Sequence, residues 1–296
     1  MNEEERIRTT VANALRAGLS RVYVIANGCT DGTARRAREI GPDVLVLQVR
    51  QPLGIDVPKA VGVAILRATE PFGAALFLDG DMEGAVPQAL RLLVSAVLKE
   101  GSDLALSNCY PSRPPSSGLA GEVTAMRLAL NRKLGLAERL GAACPSHGPF
   151  ACSPALLAAC DLQDFAVPPL VLVRAARLGF RVSVALTIPH ERLGSPDRGL
   201  RHGQLIAETI IGDCIEGLCV AEGLPRSRSI PTGYPRETLE EILPGSHSLK
   251  YRLLSGASFR GYHPCRRFDL LRVLERLLGA LSDMNALNII WEREWF

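Results

Sequence analysis

The sequence predicts an α/β fold with a mostly parallel central sheet flanked by helices. Three observations carry that reading. Short β-rich runs alternate with segments of helical spacing through the first 108 residues, the pattern of a sheet covered on both faces. Several runs end in polar turn residues, as strands do when they deliver side chains to one edge of a sheet. The chain is also long enough, at 296 residues with 47% of them hydrophobic, to bury a sizeable core.

The elements follow in order. Residues 3–17 place Ile7, Val11, Ala14 and Leu15 at helical spacing. "RVYVIANG" (21–28) is a β-rich run ending in Asn-Gly, and the helix after it takes Thr30 or Asp31 as N-cap and Gly41 as stop signal. "DVLVLQV" (43–49) is a strand, 58–69 a helix, "AALFLD" (74–79) a strand, 86–99 a helix and "DLALSN" (103–108) a strand. The regularity then breaks. A Pro/Ser/Gly loop (110–121) precedes a helical stretch to about Leu140, and "PSHGPFACSP" (145–154) reads as turns. Residues 167–179 form a helix with Pro168 and Pro169 in its first turn. "FRVSVALTIPH" (180–190) is a strand ending at His190. A Pro/Ser/Arg-rich connection from about 223 leads to a helix at 267–281 with a leucine face. That face suits packing onto the body or a homodimer.

Composition narrows the function classes. With 34 basic and 31 acidic side chains the net charge is +3, too balanced to argue for a nucleic-acid partner. The eight cysteines show no C-x-x-C spacing, so a zinc ribbon or redox motif is not indicated. Scattered in apolar segments, they read as core residues of a reducing compartment. No basic-then-apolar leader opens the sequence, and no apolar run reaches the ~20 residues that span a bilayer. The expectation is a cytoplasmic protein, with peripheral membrane contact through Arg252, Arg260, Arg266 and Arg267 as a variant.

The chemistry concentrates in "ALFLDGDMEGAVP" (75–87), where an apolar run ends in Asp79-Gly80-Asp81. Mg²⁺ and Mn²⁺ take oxygen ligands and are commonly held by one or two carboxylates plus substrate phosphates. A glycine between the carboxylates lets the backbone turn close to a ligand. An ordinary polar turn gives the same tripeptide, so its place after a buried-looking strand is what favours metal binding.

In order along the chain, "NEEERIRTTVANAL", "VYVIANGCTDGTARRA" and "ALFLDGDM" resemble the nucleotide-binding half of family 2-type glycosyltransferases of the GT-A fold. The resemblance covers residues 2 to about 108. It implies donor-binding roles for Glu3, Asn27, Asp31, Lys59 and Asp79, and metal-binding roles for Asp79 and Asp81 with Mg²⁺ or Mn²⁺. Lys59 lacks the usual Gly-Lys-Gly setting. Those enzymes have a hydrophobic strand directly before the Asn-Glu pair, whereas this sequence opens at Met1-Asn2. The expectation is either an upstream strand or a sheet lacking its usual first strand.

"GEVTAMRLALNRKLG", "HGPFACSPALL", "DFAVPPLVLVRAARLGFRV" and "IPHERLGSPDRG" resemble the acceptor half of the glucosyl-3-phosphoglycerate synthases and related retaining enzymes. A His after the last strand completes the metal site there, which implies His190, with His202 competing. Acceptor contacts fall to Thr124 and Arg127. Glu122 stands where those synthases offer Arg, and a carboxylate repels a phosphate. That argues against 3-phosphoglycerate unless Arg127 or Arg132 supplies the charge. Prolines also replace a carboxylate in "DFAVPPL". An inverting reaction would need a base, for which Asp164 is the candidate, with Asp161 nearby. A retaining reaction, in which the departing diphosphate takes the proton, is preferred.

The resulting expectation is a metal-dependent glycosyltransferase moving a sugar from a nucleotide diphosphate sugar, UDP before GDP, to a hydroxyl of a small or lipid-linked acceptor. Residues 1–108 would bind the nucleotide sugar, 109–222 the acceptor, and 223–296 would form a helical extension. A sugar-1-phosphate nucleotidyltransferase and a non-catalytic nucleotide-sugar-binding relative remain the alternatives.

Overall fold

The computed structural model describes residues 1–228 apart from 51, 69–70 and 112–114. The helix expected at 267–281, and any dimer made through it, lie outside the described residues.

Six strands and nine helices make up the described chain. In order they are α1 (Ile7–Arg16), β1 (Val22–Asn27), α2 (Thr33–Arg38), β2 (Val44–Val49), α3 (Val57–Ala68), β3 (Ala75–Phe77), α4 (Pro87–Leu98) and β4 (Leu104–Asn108). Then come α5 (Gly118–Lys133), α6 (Ala137–Leu140), β5 (Phe150–Cys152), α7 (Pro154–Ala159), α8 (Pro169–Arg177), β6 (Val182–Thr187) and α9 (Leu200–Ala221).

Local chemistry accounts for most boundaries. Extended Val86 precedes Pro87, whose fixed φ suits the first turn of α4. Ser153 caps α7, its hydroxyl accepting the Leu156 N–H at 3.1 Å. Pro168 and Pro169 open α8, where a missing N–H costs nothing. The helical stretch expected as far as Leu140 is two helices, broken at Gly135 in the left-handed region (φ +69°).

The sheet is more mixed than expected. β1 and β2 pair in parallel as one ladder, while a second sheet has the order β3-β5-β4-β6. Within it β5 runs antiparallel to both β3 and β4, and β4 runs parallel to β6. β5 is three residues long and lies inside the segment read from sequence as turns. It is buried on both faces, so it shows no alternation of apolar and polar side chains. Among the described residues no ladder joins β1 to β3.

Packing fixes these layers. The core of the second sheet stacks Phe77 on Phe150 at 4.6 Å and Phe77 on Phe165 at 5.7 Å between ring centroids. α4 lays Leu90, Leu93 and Ala96 against β4 and β6 from one side. α9 packs on α5 and α8 through Ile211, Cys214, Ile215 and Leu218. α9 also buries Asp213 and Glu216, paired with Arg228 and Arg226. No described helix is long and apolar enough to cross a membrane.

Phe150 is 1% exposed and stacks on Phe77. Phe150→Ala is therefore expected to cost about 3–5 kcal/mol in urea unfolding, from lost burial plus the cavity left behind. Leu92→Ala, on the exposed face of α4 (53%), should stay within about 0.5 kcal/mol of wild type.

Candidate functional site

The Asp79-Gly80-Asp81 turn leaves the end of β3 and is gripped from two sides. Within it, Met82 N–H donates to the Asp79 carbonyl at 3.1 Å and Glu83 N–H to that of Asp81 at 3.0 Å. α1 grips one side: Thr10 Oγ1 donates to the Gly80 carbonyl at 3.1 Å, and Asn13 Nδ2 to that of Glu83 at 3.0 Å. The loop after β6 grips the other. Gly84 N–H donates to the Leu193 carbonyl at 3.0 Å, and a Cβ on Gly84 would stand 1.8 Å from the Arg192 carbonyl oxygen. Only glycine permits that approach.

Charge at the turn is unbalanced. Lys59 Nζ reaches Asp56 at 2.6 Å and Asp79 at 3.1 Å. Burial disfavours its charge, but the two carboxylates outweigh burial and hold the ammonium well above its usual range. Asp81 has the opposite balance. Burial first, then the charges of Asp79 and Glu3, push its carboxyl up, and Arg198 only partly offsets them. Glu3 itself is 4% exposed, and its Oε2 has no hydrogen-bond donor. Its Cγ would lie 3.7 Å from a Cβ on Gly80, so a third carboxylate backs the turn.

This donor set suits a hard divalent cation, which would relieve the repulsion and complete its shell with phosphate or water. Among the described residues no group of three or more His, Cys, Asp or Glu side chains is arranged to hold a metal ion. External oxygens would thus have to supply part of the coordination.

The residues after β1 are pinned by their own side chains. Asn27 accepts the Leu53 N–H at 2.8 Å and donates to the Gly54 carbonyl at 2.7 Å. Asp31 accepts from the Glu4 N–H at 3.1 Å and from the Thr33 N–H at 3.0 Å. Partial burial works against ionisation of Asp31, but these bonds prevail and keep its carboxyl below the usual range. Glu4 returns the tie by accepting the Gly32 N–H at 3.0 Å. Asp31 therefore joins the Asn2–Glu4 segment to the start of α2.

The two histidines have different neighbours. His190 is exposed, and its Nδ1 lies 3.0 Å from Nε2 of His147; the charges it senses are Glu191 and Arg127. Tyr110 packs tilted against both, its ring centroid 5.0 Å from that of His147 and 5.9 Å from that of His190. Burial, and then Arg127, hold His147 well below the imidazole range. His202, on the first turn of α9, senses Asp81 together with Arg198 and Asp197. Of the two imidazoles, His202 is the one placed in the field of Asp81.

The remaining expected residues are committed to local bonds. Thr124 donates to the Ala120 carbonyl at 2.7 Å inside α5. Arg127, 3% exposed, donates to the Ser146 hydroxyl at 3.1 Å and carbonyl at 2.9 Å. Asp164 is buried, and both its oxygens are engaged. One accepts from the Asp161 N–H at 3.1 Å and faces Arg174 at 3.4 Å; the other faces Arg226 at 3.3 Å. Burial still outweighs those arginines and raises its carboxyl. Asp161 and Asp164 cap each other across a 3₁₀ turn at 162–164.

Sequence reading missed Asp56, His147 and Arg198. Asp56 carried a signal, three residues before Lys59 and so one helical turn away. His147 and Arg198 lie among Gly, Pro and Ser, where nothing marks a side chain that acts at a distance.

Several solved structures share this architecture. Glucosyl-3-phosphoglycerate synthase from Mycobacterium tuberculosis in complex with Mn²⁺ and UDP-glucose superposes with a TM-score of 0.53 at 22% identity, covering 80% of this chain and 81% of that one. The same synthase with Mn²⁺, UDP and glucosyl-3-phosphoglycerate gives 0.52 at 22%, covering 76% and 78%. A further structure of it gives 0.51 at 22%, covering 79% and 82%. No protein-family model matches the sequence, and neither does any curated protein. The likeness establishes that the chain has the GT-A fold.

The electrostatics of the turn give a stability test. The Asp81 carboxyl is raised on folding, so the folded state holds its proton more tightly than the unfolded chain does. Stability from this group is present at low pH and is lost as pH rises through the raised value. Without divalent cations, Asp81→Asn should raise Tm by a few degrees at pH 7 and leave it unchanged near pH 3. A Tm gain equal at both pH values would locate the effect elsewhere.

Proposed function

We propose that this chain is a metal-dependent glycosyltransferase that moves a sugar from a nucleotide diphosphate sugar, with UDP preferred, to a hydroxyl of an acceptor. The observation that carries the reading is the under-neutralised Asp79-Gly80-Asp81 turn, backed by Glu3 and gripped by α1 and the loop after β6. A rigid cluster of carboxylates that lowers stability is what a cation-diphosphate site requires. The fold agrees, since the M. tuberculosis synthase that shares it was crystallised with Mn²⁺ and UDP-glucose.

In this reading Asp79 and Asp81 hold Mg²⁺ or Mn²⁺, and His190 or His202 adds a nitrogen ligand. The cation supplies charge neutralisation for the departing diphosphate. Lys59 fixes the orientation of Asp79 and adds permanent positive charge beside it. Glu3, Asn27 and Asp31 shape the nucleoside pocket at the end of β1. Arg127 and Thr124 belong to the acceptor side, where Arg127, buried and held by Ser146, acts as a counter-charge from behind the surface for an anionic acceptor. The oxygens of Asp164 already face two arginines, which favours a retaining reaction over one using Asp164 as base. The acceptor is a small molecule or a lipid-linked one. One observation supports a second reading, nucleotide-sugar binding without turnover: His190 is engaged by His147.

Thermal unfolding with UDP or GDP, each with and without Mn²⁺, tests the proposal. A ligand at 100 times its Kd should add about 2.7 kcal/mol. The expected result is stabilisation by UDP that needs Mn²⁺ and is absent in Asp81→Ala. No stabilisation by either nucleotide would falsify the donor assignment. Binding without transfer of sugar to any acceptor class would favour the second reading.

A further inference from the structure

The segment between β6 and α9 carries a residue for which sequence reading gave no role. Residues 194–199 run between two glycines in the left-handed region, Gly194 (φ +88°) and Gly199 (φ +84°). Asp197 accepts the Gly199 N–H at 2.8 Å, which sets the turn into α9. From this segment Arg198 reaches the opposite end of the described chain. Its guanidinium donates to Glu3 Oε1 and, at 3.2 Å, to the Met1 carbonyl. Glu3 in turn lies against Gly80, between Asp79 and Asp81. Arg198 is thus a built-in cation set against the carboxylates behind the turn, with its side chain 29% exposed.

We infer that Arg198 is a donor-site residue that neutralises the acidic turn while no divalent cation is bound, and passes its guanidinium to the diphosphate once cation and nucleotide arrive. The inference rests on the proposed function, because it takes Asp79 and Asp81 as holding a cation and a diphosphate. Charge bookkeeping drives the exchange. Glu3, Asp79 and Asp81 repel one another; Lys59 faces Asp79, Arg198 bonds Glu3, and Arg6 and the N-terminal ammonium stand further off Glu3 at 3.7 and 3.6 Å. A dication among the same carboxylates supplies two positive charges and repels the guanidinium. The diphosphate then offers new acceptors, and a planar guanidinium suits phosphate oxygens in bidentate fashion. The flanking glycines, Gly194 and Gly199, are the positions where the backbone of this segment is least restricted. Asp81, which feels both Arg198 and the carboxylates, keeps a counter-charge in either state.

The exchange predicts effects of opposite sign from one substitution. Mn²⁺ binding without nucleotide, read by electron paramagnetic resonance of the free ion, should be about threefold tighter in Arg198→Gln, since a guanidinium competing for the carboxylate of Glu3 is gone. UDP binding at saturating Mn²⁺, read by calorimetry, should be about tenfold weaker, since a charge-assisted bond is lost. Arg198→Lys keeps the charge and should bind Mn²⁺ alone as wild type does, with UDP affinity between the two. Affinities unchanged in Arg198→Gln, or weakened together, overturn the inference. Asp81→Ala separates the two failures. If it loses Mn²⁺ affinity while Arg198→Gln behaves as wild type, the metal assignment stands and this inference falls. If it binds Mn²⁺ normally, both fall.

Discussion

Mutual repulsion among the carboxylates of Glu3, Asp79 and Asp81 is the constraint around which the first half of this fold is organised. Left alone, the turn would relax by moving its acidic groups apart into water. It is prevented from doing so by backbone bonds that ignore charge: Thr10 and Asn13 of α1 hold the carbonyls of Gly80 and Glu83, and Leu193 holds the amide of Gly84. Lys59 is locked between Asp56 and Asp79 and cannot follow Asp81. The geometry is therefore retained at an electrostatic cost, which is the condition under which a bound cation gains most.

The mixed sheet serves the same end. β3 is only three residues long, and its position is set by pairing with β5 and by the Phe77–Phe150 stack. β5 reaches that place because the chain reverses through α5, α6 and the 141–149 turns, which Arg127 and Asn131 pin by their bonds to Ser146, Gly141 and Ala143. An antiparallel strand from residues 150–152 thus positions the Asp79-Gly80-Asp81 turn, more than 60 residues earlier in the chain. Separate labels for the two halves describe sequence order more than mechanical independence.

Sequence legibility followed physical locality. Helix boundaries at Pro87 and Pro169, the strand from 104 to 108 and the Asp-Gly-Asp turn were all readable, because each depends on a few neighbouring residues. β5 was not, since its β-structure comes from partners more than 40 positions away rather than from any alternation within Phe150–Cys152. α9 was passed over although it is the longest described helix. Its buried Asp213 and Glu216 break the apolar stripe, and only Arg228 and Arg226 make their burial tolerable. Asp79 and Asp81 could be named from the motif. That Asp81 senses His202 and Arg198, while His190 turns to His147, depends on how loops cross in space.

The absence of a ladder between β1 and β3 among the described residues has a mechanical consequence. α1 touches β1 and α2 on one side and α4 on the other, while α3 touches β1 and the 162–164 turn. Among the described residues the β1–β2 ribbon is thus fastened to the larger sheet through side-chain packing of α1 and α3, with no strand ladder crossing directly. Such a seam opens by sliding and needs no strand to unzip. For the described residues alone this predicts amide exchange in two cooperative blocks, with the β1–β2 ribbon the faster of them and β4 the slowest to give up its protons. Anything that ties Asp81 to groups at the end of β1 would act as a clamp across that seam and merge the two blocks into one.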